Sequence, residues 1–451
     1  MRLRGVQLRL RSRVRTSPSD IALESIHVTQ PWFKSRSYKH LDAAVSSSFA
    51  DRVTDPQFVA QCDWSPLIRY EKITPRYKPL QHKTILKKRP IMIASHRDAC
   101  ILSKYAHDLT HLLEGYYQEH GLDDYVIAYR KLGRANYDFS SGALEFALAH
   151  SPCTVMCFDI SGFFDNLDHS ILKRNLKSIY GKRELPDDWY KVFRHITRFS
   201  YVEKSDLLDN TVFCARANDK SNSPIATIGE IKAAGIKIKR NANSYGIPQG
   251  TPISAVFSNL YMLEFDCSLR DVCVATGGLY QRYSDDILII CSPDAENSVR
   301  AQVHSSLAFL KLQLSLEKTE EAQFDLQSNS GFQYLGFEMS PSGAVIRASS
   351  ISRQWRKMKR SIRRTREQGR AAIQSGTSSK VYTKKLWKRF SSVGSKNFSS
   401  YARRAAGVFK SHKMETQIRR LERAATSGIR ALNGSGNVPK PHVSLEEQAG
   451  Q

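Results

Sequence analysis

Two adjacent carboxylates, Asp285 and Asp286, stand between two short apolar runs, Leu279 to Tyr283 and Ile287 to Cys291. Runs of that length and composition on either side of a polar step read as a β-hairpin, which pins both acids on strand ends rather than in a loop. A third acid, Asp159, closes the run Thr154-Val155-Met156-Cys157-Phe158, which has the length and composition of a buried strand. Three acids so placed can converge on one point. Hard oxygen ligands in that number suit a pair of divalent cations about 3.5–4 Å apart, which stabilise the attacking and leaving oxygens of an in-line phosphoryl displacement. The residues alone point to nucleotidyl transfer or phosphodiester cleavage. A lone Asp-Asp step would be no more than a polar hairpin tip.

The segments around these acids are as distinctive as the acids. After Asp159 a tight Ser161-Gly162 step leads into Phe163-Phe164-Asp165 and a helical pattern with apolar Leu167, Ile171, Leu172, Leu176 and Ile179. Between the two acid sites lies Tyr245-Gly246-Ile247-Pro248-Gln249-Gly250-Thr251-Pro252-Ile253-Ser254, followed by a helical stretch to Glu264. Gly250 would let the backbone approach a planar ligand closely, and Pro252 suits the first turn of a helix.

In the order Phe-Asp, Pro-Gln-Gly, Tyr-x-Asp-Asp, these segments resemble the palm of reverse transcriptases. Leu312 to Thr319 is similar to the family's fourth palm motif, and Phe332-Gln333-Tyr334-Leu335-Gly336-Phe337 to the hairpin that grips the primer strand. Arg89 to Asp98 resembles the fingers motif of bacterial and group II intron enzymes, with Ala94-Ser95 in place of the usual Pro-containing step, and Ala128-Tyr129-Arg130-Lys131 resembles the second fingers motif. The resemblance runs from about residue 88 to 337. It implies an α+β, right-hand polymerase with fingers, an antiparallel-sheet palm and an α-helical basic thumb. It also implies RNA-directed DNA synthesis, with an RNA template, deoxynucleoside triphosphates and a DNA product. Asp159, Asp285 and Asp286 become ligands of two Mg²⁺ ions, for which Mn²⁺ can substitute, and Lys318 becomes the proton donor near the leaving pyrophosphate. Phe164 matches the gate that excludes a 2′-hydroxyl, while Gln249 and Gly250 match residues that pack on the nucleotide. Arg89 and Arg97 are candidate triphosphate contacts, since a guanidinium fork suits phosphate oxygens, and Arg130 is a candidate nucleotide-binding residue. Tyr334, Leu335 and Gly336 become nucleic-acid contacts.

Composition points to a polyanionic partner independently. The chain of 451 residues carries a formal charge of +25, the electrostatic footprint of a nucleic-acid binder. From Arg347 to Lys413 there are twenty Lys and Arg and one acid, Glu367. Apolar residues such as Trp355, Met358, Ile362, Leu386, Trp387 and Phe390 punctuate this segment, so it is expected to fold as helices with a basic exposed face. Arg363 and Arg364 lie in it as expected phosphate contacts.

The expected divisions are a basic N-terminal extension over 1–50, fingers over 51–150, a palm over 151–340 with a polar surface insertion at 201–243, a helical thumb over 341–432 and a flexible tail over 433–451. Eight cysteines without a Cys-x-x-Cys pair fit a reduced, cytoplasmic interior. His107 and His111, four apart on a helix, read as structural. The six arginines between Arg2 and Arg15 read as a nucleic-acid-binding arm, although they share features with a transit peptide. With no run of 18 apolar residues, no membrane span is expected.

No protease, ribonuclease H, integrase or endonuclease module fits the remaining length, the Val-Thr-Gly motif usual in retrons is lacking, and so is a long maturase region. The resemblance is therefore strongest to bacterial, defence-associated reverse transcriptases that act against phage, with a dedicated structured non-coding RNA and a partner protein or a second copy as candidate partners. Retron and group II intron-type enzymes are the neighbouring alternatives. A non-catalytic RNA-binding relative is disfavoured by the three aspartates, and a two-metal nuclease by the nucleotide-pocket residues.

Overall fold

The structure, a computed structural model, describes residues 30–78, 82–328 and 330–432. The arginine-rich arm before residue 30 and the expected tail from residue 433 lie outside the described residues. Two short helices, Ser47–Arg52 and Pro56–Gln61, precede a long antiparallel hairpin of β1 (Leu67–Lys78) and β2 (Lys83–Ile93). The helix His96–Glu119 follows, capped by Ser95, whose hydroxyl accepts from the Asp98 amide. Its residues Ile101, Leu102, Tyr105, Leu109, Leu113 and Tyr117, at helical spacing, all face the core.

After the helix Asn136–Ala149 comes β3 (Cys153–Asp159), and then β4 (Ser200–Glu203) and β5 (Lys239–Arg240), which extend the hairpin into a sheet of order β2-β1-β4-β5. Between β4 and β5 three short helices, Lys204–Asp209, Thr211–Asn218 and Ile228–Ala233, close over a small core that includes Ile68, Val202, Leu207, Phe213, Ile225 and Ile231. The polar stretch 201–243 thus carries its own apolar centre, spread too thinly along the chain to stand out among its Lys and Asn.

The hairpin of β6 (Leu279–Tyr283) and β7 (Asp286–Cys291), together with β8 (Glu320–Phe324), completes a second, wholly antiparallel sheet of order β6-β7-β3-β8. Its two central strands are apolar on both faces, and the period of two sends alternate residues into different cores. Met156, Phe158, Ile287 and Ile289 pack with the helices Ser254–Tyr261, Leu263–Ala275 and Glu296–Phe309. Val155, Leu288 and Ile290 pack on the other face against Asn136–Ala149 and a meander of β9 (Phe332–Tyr334), β10 (Phe337–Ser340) and β11 (Gly343–Ile346).

Beyond the meander the chain is helical: Ala348–Gln374, Lys384–Phe390, Phe398–Val408 and His412–Arg430. The first of these buries only Met358 and Ile362, which join Leu386, Trp387, Phe390, Leu421, Ala425 and Ile429 in a separate core. Its basic residues, Arg363 and Arg364 among them, are left in water. The architecture is the expected α+β right hand, with an antiparallel palm sheet between a fingers sheet and a helical thumb. No helix among the described residues is long and apolar enough to cross a membrane, and all eight cysteines are free.

Candidate active site

Asp159 and Asp286 face each other directly across β3 and β7, a pairing that holds Cβ atoms about 4.5–5.5 Å apart. Tyr283 pairs with Asp286, so Ser284-Asp285 is a two-residue turn that carries the third carboxylate to the same strand end. The tip is fixed from both sides: Ile160 N donates to the Asp285 carbonyl at 3.2 Å, and Ser315 N to the Asp159 carbonyl at 2.7 Å. Register alone therefore gathers the three acids that lie far apart in sequence.

Their mutual repulsion is visible in Asp286. Although its side chain reaches solvent, surrounding protein desolvates it, and the charges of Asp285 and Asp159 add to this, pushing its pKa up to about 6; Lys318 and Arg347 pull the other way. Lys318 Nζ forms an ion pair with Asp159 Oδ1. Among the described residues no group of three or more His, Cys, Asp or Glu side chains is arranged to hold a metal ion, and Lys318 contributes positive charge at Asp159.

The turn rests on a buried polar network. Ser284 sits in the left-handed region at φ +63°, a conformation that costs a residue with a Cβ of order 1–3 kcal/mol and persists only where its surroundings hold it. Tyr129, itself at φ +64°, donates from its hydroxyl to Ser284 Oγ at 3.1 Å, and Arg282 Nη1 donates to the Ser284 carbonyl at 3.1 Å. Arg282 has no exposed surface and grips Asp266, equally buried, through Nε at 2.7 Å and Nη2 at 2.6 Å. Tyr280 Oη donates to the same carboxylate at 2.6 Å, and Asn259 links Arg282 to the Ala128 carbonyl. This network and Arg347 escape a reading of the sequence. Arg282 and Asp266 lie on different elements, and only the fold makes them partners. Tyr129 stood inside the segment Ala128 to Lys131, which was the one available signal.

The other expected residues fall into three groups. Gln249 reaches β2, its carbonyl accepting from Met92 N at 2.7 Å, while the Phe164 carbonyl accepts from Ile247 N at 2.9 Å. Gly250, at φ +112°, is pressed against β2, where a Cβ would lie 2.8 Å from the Met92 carbonyl oxygen and 3.0 Å from Ile91 Cγ2. The close approach that needs this glycine is to the fingers backbone rather than to a planar ligand. Arg89 and Arg97 are exposed and free to meet a polyanion, with Arg97 also over the Phe49 ring at 5.6 Å.

Arg130 is placed differently from the nucleotide contact expected of it. Its side chain is 2% exposed, its donors go to Glu114, Asp123 and two carbonyls, and it packs on Tyr117, so none is left for a nucleotide. Tyr334 is likewise buried, and its hydroxyl has no hydrogen-bond partner among the described residues. Within that motif the turn Leu335-Gly336 is half-exposed, and its Gly336 carbonyl accepts from Arg347 N at 3.0 Å. Arg363 and Arg364 lie on the exposed face of the helix Ala348–Gln374.

The family model "Reverse transcriptase (RNA-dependent DNA polymerase)" matches residues 82–339. No curated protein sequence matches the chain. Among solved structures the chain is similar to a C-terminally truncated apo telomerase from Candida tropicalis, at 14% identity and a TM-score of 0.43 over 67% of this chain and 61% of that one. It is also similar to telomerase from Candida albicans in complex with a fragment of telomeric RNA, at 10% identity and a TM-score of 0.44 over 84% and 66%. The chain thus spans about three fifths of the first of these and two thirds of the second. The matched residues hold the whole fourfold palm sheet, the Ser284-Asp285 turn and all three aspartates, and the chain belongs to the reverse transcriptase (RNA-dependent DNA polymerase) family.

Proposed function

We propose that this chain is an RNA-directed DNA polymerase that extends a primer by nucleotidyl transfer at Asp159, Asp285 and Asp286. The observation that carries the reading is the cross-strand register of Asp159 with Asp286, with Asp285 in the adjoining turn. The donor set supports two divalent cations such as Mg²⁺: three carboxylates share one strand end, and at Asp286 the neighbouring charges of Asp285 and Asp159 add to burial in raising its pKa. Bound there, Mg²⁺ would supply Lewis-acid activation of the primer 3′-hydroxyl and charge stabilisation at the α-phosphate.

The chain's own residues supply position, selection and the proton. The network under Ser284 holds the Asp285 turn in a strained conformation, so its carboxylate is preorganised. Phe164, on the segment that follows Asp159, is the proposed steric bar to a 2′-hydroxyl. Lys318, once released from Asp159, is the proposed proton donor to the departing pyrophosphate. Arg89 and Arg97 are proposed to meet the triphosphate, Leu335-Gly336 the primer, and Arg363 and Arg364 the duplex backbone.

Asp285→Asn tests the reading. Loss of one preorganised charged group commonly costs ~10²–10³ in rate or more, so deoxynucleotide incorporation with Mg²⁺ should fall at least that far while RNA binding persists. Near-normal incorporation would overturn the assignment. We further infer a bacterial anti-phage setting with a dedicated structured RNA. Sequencing the RNA that co-purifies with the protein tests it, and a random population of transcripts would count against it.

A further inference from the structure

The helix Asp187–Thr197 buries Trp189, Val192, Phe193 and Ile196, and turns Tyr190, Lys191 and Arg194 the other way, with exposed Arg198 one turn on. That outer face forms one wall of a cleft of about 1310 Å³, which is closed by the start of the helix His169–Ile179, the Arg240–Ser244 segment and Lys311. Six Lys and Arg line it against two acids, Asp63 and Asp168, and Lys311 neutralises Asp168 at 2.7 Å. Lys191, Arg194, Arg198 and Arg240 have no carboxylate within ion-pair distance among the described residues. Four such cations facing one space repel each other, and a bound polyanion relieves that repulsion.

A second observation comes from the floor of the cleft. The His195 ring stacks on Trp64 with centroids 4.0 Å apart and planes within 14°. His195 is 7% exposed and lines the cleft, yet among the described residues its Nε2 has no hydrogen-bond partner, and neither has Trp64 Nε1. Buried polar atoms are nearly always satisfied, and an indole N–H can only donate. What is missing at Trp64 is an acceptor. Near the rim, the Tyr190 ring is 41% exposed with the Lys173 ammonium 5.0 Å from its centre.

We propose that this cleft is a second nucleic-acid site, separate from the aspartate cluster, that holds a single strand by its phosphates with Tyr190 as a stacking surface. A strand fits better than a free nucleotide on two counts. The cleft exceeds the ~300–1,000 Å³ usual for small-ligand pockets. Its cations are also spread over several segments instead of forking onto one phosphate group. A groove of positive charge with an aromatic platform is how single strands are held without regard to sequence. The site needs no carboxylate chemistry, so it stands whether or not Asp159, Asp285 and Asp286 act as proposed.

The test uses the full chain and a 20-nucleotide oligouridylate. Lysine acylation read by mass spectrometry should show Lys173 and Lys191 protected by this RNA, and by a single-stranded DNA of the same length. Arg194→Gln with Arg198→Gln, both exposed changes, should flatten the slope of log affinity against log salt by about 1.4, at roughly 0.7 per phosphate contact on a single strand. Extension of a short pre-annealed primer–template by this variant should match the parent, which also reports an intact fold. An unchanged slope with unprotected lysines would overturn the proposal. So would protection by a deoxynucleoside triphosphate alone, which would make the cleft a nucleotide pocket. Lost extension on the short duplex would make it part of the catalytic channel, and the separate site would fall.

Discussion

Arg282 and Asp266 offer the sharpest separation of fold from catalysis. Asp266→Ala leaves a guanidinium with no exposed surface and no counter-charge. Removing one partner of a buried pair costs about 3–5 kcal/mol, and at roughly 2–4 °C per kcal/mol for a unit of 150–250 residues the melting temperature should drop by about 6–20 °C. That variant alone proves only that the pair is buried. The informative one is Arg282→Met with Asp266→Leu and Tyr280→Phe, which removes both charges and the hydroxyl that would lose its acceptor. Apolar replacement of a buried pair is often neutral or stabilising, so the triple variant should melt close to the parent. It nevertheless removes the Arg282 donor from the Ser284 carbonyl, half of what holds the left-handed turn. A shift of about 1 Å in Asp285 can cost ~10² in rate, so single-nucleotide incorporation with Mg²⁺ should fall by about that factor at unchanged primer–template affinity. A triple variant that melts and incorporates like the parent would show that the network serves the fold only and that Asp285 is positioned by other contacts.

Three further outcomes are expected. Phe164→Ala should admit ribonucleotides far better while deoxynucleotide use persists at reduced efficiency; an unchanged sugar preference in competition assays would remove Phe164 from the gate. Gly250→Ala forces a Cβ to within 2.8 Å of the Met92 carbonyl oxygen at a φ that disfavours it, a strain of order 1–3 kcal/mol. It should lower the melting temperature and incorporation together, and wild-type values for both would mean that β2 yields at no cost. His195, buried against Trp64, has its pKa lowered from 6.5 to about 3 by desolvation. Its neutral form therefore contributes stability fully above pH 6.5, and this is lost as pH falls toward 3. His195→Phe should remove that dependence, so its melting temperature should rise relative to the parent as pH is lowered from 7 to 4, and a pH-independent difference would refute the assignment. Asp98, buried and raised to about 7, acts in the opposite sense in both proteins and cancels in the comparison.

The right-hand fold was legible through the ordered motifs that resemble the reverse transcriptase palm, and its elements through period and composition: short apolar strand runs ended by acids, and a basic helical segment with sparse apolar punctuation. Period and composition are local properties, and local properties survive in sequence. Roles that depend on what a side chain meets were not legible. Arg130 stood in a fingers-like motif, but Glu114 and Asp123 claim it. Tyr334 stood in a primer-grip-like motif, but the meander buries it. Gly250 was read against a ligand and lies against β2.

By itself, then, the sequence determined which residues could do chemistry: three strand-end carboxylates, an aromatic after the first, a lysine downstream and a strong excess of positive charge. Only the tertiary structure decided how they stand. Antiparallel register puts Asp159 opposite Asp286, a buried ion pair from two separate elements props the turn that carries Asp285, and helix packing turns unremarkable lysines and arginines into one wall of a cleft. The physical reason is common to all three. Burial, charge compensation and cross-strand neighbours are set by residues distant along the chain, and no local pattern encodes which distant residue will arrive.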